Sequence, residues 1–139
     1  MSPALVAAAL GAVLALTACD TAPTACPAIA WGNGLTVELA GGWPPGEGRS
    51  VRVACPQPCG LELREDAPPG RGHVGVAPLV GDRATVSFLM ETPDEVDVAV
   101  LGPDGGVLAG LTADLEWELV GGSAECGGPH QATVTVPAP

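Results

Sequence analysis

The chain has no lysine and no tyrosine, and Phe88 and Asn33 are its only phenylalanine and asparagine. The scarcity of cations has the sharper consequence. Five arginines face sixteen acidic residues, for a formal net charge of -11 at pH 7. A field of that sign repels phosphate backbones and anionic headgroups, which makes nucleic acid and anionic lipid surfaces poor partners. Long apolar runs are missing too. The longest, Ala4 to Leu16, has thirteen residues. At ~1.5 Å per helical residue it reaches roughly 20 Å, short of the ~30 Å hydrocarbon core of a bilayer. After Cys19 no stretch carries a 3.6-residue apolar period, so helix is expected to be scarce. The chain also lacks HExxH, a DxDxDG-type calcium loop and GxSxG: Gly121-Gly122-Ser123-Ala124-Glu125 has no second glycine and falls between strands. These gaps, with the small size, argue against an enzyme, and no cofactor is expected. What abounds is alanine, glycine (20) and proline (15), the signature of a GC-rich bacterial genome more than of a function.

The apolar run has the length, position and small-residue ending of a signal peptide. It closes on Leu16-Thr17-Ala18-Cys19, which resembles the lipobox of bacterial lipoproteins: an aliphatic residue, small residues, then a cysteine. The resemblance implies that Cys19 receives a diacylglyceryl group and fatty acyl chains of the palmitate type, and that the leader is cut off on its amino side. It also implies that the domain hangs from the extracytoplasmic face of a cell membrane. Each buried CH₂ contributes about 0.8 kcal/mol, and two chains suffice for stable anchoring. The competing reading makes Cys19 an ordinary residue near a plain cleavage site. The expected organisation is a signal peptide at 1–18, a lipidated tether at 19–28 rich in small residues and proline, and one domain at 29–137.

Four further cysteines, Cys26, Cys55, Cys59 and Cys126, form an even set in an oxidising compartment, where three disulfide connectivities are possible. The favoured one joins Cys26 to Cys126, closing a loop of about 100 residues worth roughly 4.7 kcal/mol, and Cys55 to Cys59, worth about 2 kcal/mol on the same chain-entropy formula. Crossed pairings such as Cys26 with Cys55 stay open.

A period of two runs through the rest. Leu35, Val37 and Leu39 alternate with Thr36 and Glu38; Val51, Val53 and Cys55 with Arg52 and Ala54; Leu61 and Leu63 with Glu62 and Arg64. Further strands are expected over His73 to Leu79, Ala84 to Leu89, Val96 to Val100, Val107 to Leu111 and Gln131 to Val136. Gly102-Pro103-Asp104-Gly105-Gly106 reads as a hairpin turn. The longest alternation puts Leu111, Ala113, Leu115, Trp117 and Leu119 on one face and Thr112, Asp114, Glu116 and Glu118 on the other. Eight or so short strands predict an all-β, antiparallel two-sheet sandwich. Its disulfide-bearing core with an inward Trp117 resembles an immunoglobulin-like or fibronectin-type domain, although the immunoglobulin Cys, Trp, Cys spacing is absent.

Three constellations remain as candidate sites. Cys55-Pro56-Gln57-Pro58-Cys59 resembles the CxxxC segment of exported copper metallochaperones, in which two thiolates and a distant histidine hold Cu(I); His73 or His130 would complete such a set. A zinc site drawing on Cys126 and His130 is a variant of that idea. The competing reading is a local disulfide, and no metal is expected at either place. The acidic stripe Asp114, Glu116 and Glu118, with Asp94, Glu95 and Asp97, has the hard oxygen ligands calcium needs, yet a solvated strand face accounts for it. Trp43, in the turn Gly41 to Gly48, either caps the core or anchors a protein or glycan partner. The loops Gly41 to Gly48, Asp66 to Gly72 and Gly121 to His130 are the expected contact surfaces for an envelope partner. The overall expectation is a lipid-anchored binding or structural module at the cell envelope, with a copper- or zinc-binding lipoprotein as the alternative.

Overall fold

The computed structural model describes residues 24–61 and 73–139. The leader 1–18, Cys19, Leu63 and the loop Asp66 to Gly72 lie outside these. Eight strands follow in order: β1 (Gly32–Leu39), β2 (Ser50–Ala54), β3 (Val74–Pro78), β4 (Arg83–Leu89), β5 (Glu95–Leu101), β6 (Val107–Asp114), β7 (Glu118–Leu119) and β8 (His130–Val136). The described residues contain no helix, and none of their segments is a helix long and apolar enough to cross a membrane.

The strands build two four-stranded sheets, ordered β4-β1-β8-β7 and β3-β2-β5-β6. Alternation decides which side of each strand turns inward, because successive side chains leave a pleated strand on opposite faces. Leu35, Val37 and Leu39 of β1, Ala84, Val86 and Phe88 of β4, and Ala132, Val134 and Val136 of β8 meet Val51, Val53, Val96, Val98 and Val100 of the second sheet in one core. The result is the expected all-β sandwich of two sheets.

Two features depart from the simple alternating picture. The sandwich is antiparallel except at β1 and β8, which pair in parallel from Gly34 opposite Gln131 to Leu39 opposite Val136. The run from Val107 to Leu119 is also not one strand. It leaves the second sheet after Asp114 and enters the first at Glu118, so its two halves bind different partners. The turnover is held by the Leu115 N–H donating to the Asp94 carbonyl (2.7 Å) and by the Trp117 indole N–H donating to the Pro93 carbonyl (2.9 Å). Buried Leu115 and half-buried Trp117 thereby close one open side of the sandwich. Leu61 closes the other. It bridges to Phe88 of β4 and packs against Gly75 of β3, where a Cβ would come within 3.2 Å of its side chain.

Asn33 is 1% exposed, the one buried polar residue among the described core positions. Its Nδ2 donates to the Glu91 carbonyl (2.8 Å) and its Oδ1 accepts from the His130 N–H (2.8 Å), so one amide satisfies the exit of β4 and the entry of β8. Asn33→Ala leaves both backbone groups without a partner, at about 1–3 kcal/mol for each buried group so stranded. The expected loss is about 2–4 kcal/mol in urea unfolding, against a change near zero for Thr133→Ala on the exposed side of β8.

Candidate functional site

The end of the sandwich where the chain enters is built from residues 24–31, the start of β1 and the loop before β8. Cys26 and Cys126 are joined there (S–S 2.02 Å, Cα–Cα 5.2 Å), a bridge spanning 100 positions. The loop that carries Cys126 is a tight reversal. The Ser123 N–H donates to the Gly127 carbonyl (3.1 Å), the Ser123 hydroxyl accepts from the Cys126 N–H (3.1 Å), and the Val120 N–H donates to the Pro129 carbonyl (2.9 Å). Gly122 and Gly128 let its two limbs touch backbone to backbone, since a Cβ on either would collide with the carbonyl of Gly127 or Gly121. Pro27, Ile29, Trp31, Gly127 and Pro129 line a groove of about 260 Å³ beside the disulfide. Ile29 is 64% exposed at its rim. The Gly121 to His130 loop thus belongs to the end of the molecule where residues 24–31 lead into β1.

Cys55 and Cys59 are also joined (S–S 2.06 Å, Cα–Cα 6.2 Å), and both are buried at the end of β2. Closed in this way the pair offers no thiolate to a soft metal. His73 stands beside it through its backbone, whose carbonyl accepts from the Cys55 N–H (2.8 Å); His130 stands in the other sheet at the start of β8. Each histidine has a buried Nδ1 with no hydrogen-bond partner. Among the described residues no three His, Cys, Asp or Glu side chains come together as a metal site. The joined pair is part of the core.

The acidic residues do not form one stripe. Glu95 stands directly opposite Asp114 across β5 and β6, whereas Glu118 stands opposite Gln131 in the other sheet. Asp97 is engaged by the Thr112 hydroxyl, which donates to it at 2.6 Å. Trp43 is held as a cap: its indole N–H donates to the Val136 carbonyl (3.1 Å), and the Arg49 guanidinium lies 5.4 Å from the ring centroid.

A larger feature carries no motif. The outer face of the second sheet forms a shallow groove of about 610 Å³ lined by Arg52, Ala54, Val74, Asp97, Ala99 and Gly110, among others. Its only trace in the sequence is the small or apolar character of outward positions that usually carry polar side chains. Comparison with known protein families, with curated proteins and with solved structures finds no match to this chain.

Proposed function

We propose that the chain is a bacterial lipoprotein, held to the extracytoplasmic face of a cell membrane through a lipid on Cys19, that presents its sandwich as a binding or structural module at the cell envelope. The observation that carries this reading is the Cys26–Cys126 bridge. Cys26 follows Cys19 by only seven positions. Fully extended they span about 25 Å, so a lipid at Cys19 holds one defined end of the sandwich next to the bilayer. The bridge passes tension on the tether straight to the loop before β8 instead of peeling β1 from its sheet. Two disulfides in so small a domain also suit an oxidising compartment. Anchored in this way, the domain turns the Gly41 to Gly48 loop and the sheet faces toward a protein or glycan partner.

Mass spectrometry of the native N-terminal peptide tests the anchor. A peptide beginning at Cys19 and carrying diacylglycerol is the expected result, and Cys19→Ser shifts the protein from the membrane to the soluble extracytoplasmic fraction. An unmodified Cys19 in the mature protein, or an intact leader, overturns the reading.

A further inference from the structure

We infer that the outer face of the second sheet is the contact surface for a second copy of this chain. Four observations converge on it. The face exposes apolar side chains among its polar ones: Val74, Val76, Val107 and Leu108 are 37%, 44%, 59% and 42% exposed along its two edge strands. Exposed apolar side chains gathered on one rimmed patch mark interaction surfaces. Its centre is shallow because Ala54, Ala99 and Gly110 form the floor.

Its centre is also electrically balanced in a chain of net charge -11. Arg52 and Asp97 are the charged residues lining the groove, and no ion pair joins them within one molecule. Like copies that repel elsewhere can approach here.

The last observation is positional. An isologous interface needs a patch that is complementary to itself, and the register supplies one. Arg52 lies opposite Ala99 and Asp97 opposite Ala54 on the adjacent strands β2 and β5, so the two charges stand on a diagonal. A two-fold axis lying in the interface and bisecting that diagonal brings Arg52 of each copy onto Asp97 of the other. The same axis runs along Ala54, Ala99 and Gly110, so the smallest side chains face their own counterparts and the sheets approach closely. It also carries the acidic pair Glu95 and Asp114 of one copy toward the Val76 to Pro78 end of the other, away from that copy's own acidic pair.

Four strands about 4.8 Å apart and some 20 Å long give a footprint of roughly 400 Å² per copy. That is below the ~800 Å² per partner of a standard stable interface, so the contact belongs to the weak, reversible class. The inference does not depend on the lipid anchor.

The test is sedimentation equilibrium of the purified full chain in density-matched detergent, with Arg52→Glu, Asp97→Arg and the double variant beside the wild type. The expected result is a concentration-dependent dimer, weakened at least tenfold by each single reversal and restored by the double exchange. Circular dichroism melting of each variant separates loss of the dimer from loss of the fold, and the double exchange answers the question even if one single variant is unstable. A wild-type chain that stays monomeric at every concentration overturns the inference. So does a dimer indifferent to both single reversals, which would report association through the leader, the lipid or another face. Failure of the double exchange to restore the dimer also overturns it.

Discussion

Replacing both Cys26 and Cys126 by serine lowers the unfolding free energy by about 4 kcal/mol. The bridge closes a loop of 100 positions, and removing such a constraint from the unfolded chain is worth roughly 4.7 kcal/mol on the chain-entropy account. Native-side effects are small by comparison. Cys26 is exposed and Cys126 half-buried, so a serine at either place buries no unsatisfied hydroxyl. Residues 24–31 belong to no strand, so the freedom they gain in the folded state trims the figure only slightly. Domains of this size are stable by about 5–15 kcal/mol in all, so roughly a quarter or more of the total is at stake. In a chain of this length that corresponds to a fall in Tm of roughly 15–20 °C. Urea unfolding under non-reducing conditions, followed by tryptophan fluorescence, measures it. A loss below about 1 kcal/mol would contradict the entropic account.

Phe88→Ala costs about 3–5 kcal/mol, the range for truncating a fully buried aromatic. Phe88 is 0% exposed and is the largest fully buried side chain of the core. It reaches from β4 across to the turnover segment, where its ring meets that of Trp117 edge to face, centroids 5.6 Å apart and planes at 86°. That geometry adds about 0.5–1.5 kcal/mol beyond burial. Leu61, which closes the far side of the sandwich, bridges to the same residue. Truncation therefore removes the ring contact with Trp117, while the backbone bridge to Leu61 stays. The signature is specific: the emission of Trp117 moves to the red and near-ultraviolet dichroism falls before the far-ultraviolet signal does. Phe88→Leu refills most of the volume and costs under about 1.5 kcal/mol. Equal effects of the two variants would show that the cavity at this position is not what holds the sheets together.

Much of the architecture was legible along the chain because it depends on neighbours in sequence. Leu35-Thr36-Val37-Glu38-Leu39 announces both a strand and its inward face, since the pleat allows no other outcome once one side is apolar. The same holds for Val51 and Val53, for Val96 to Val100 and for Ala84 to Phe88, and the absence of a helical period agrees with the described residues. Asn33 escaped notice, as a lone polar residue before a strand gives no sign that two distant backbone groups converge on it. The outer groove escaped as well, because Arg52, Ala54, Asp97, Ala99 and Gly110 are spread over three strands. The acidic alternation from Thr112 to Glu118 misled, since a period of two persists through a chain that is changing sheets.

The order of residues by itself determined that this protein is all-β, which side of each strand is buried and where the turns fall. Those outcomes follow from steric rules acting over a few residues. Folding in three dimensions decided which strands lie side by side, including the parallel union of β1 with β8. It also decided where the chain passes from one sheet to the other, and that a positive and a negative side chain share one apolar face. These depend on closing loops of tens of residues around a common core, and no local pattern encodes which distant segment arrives there.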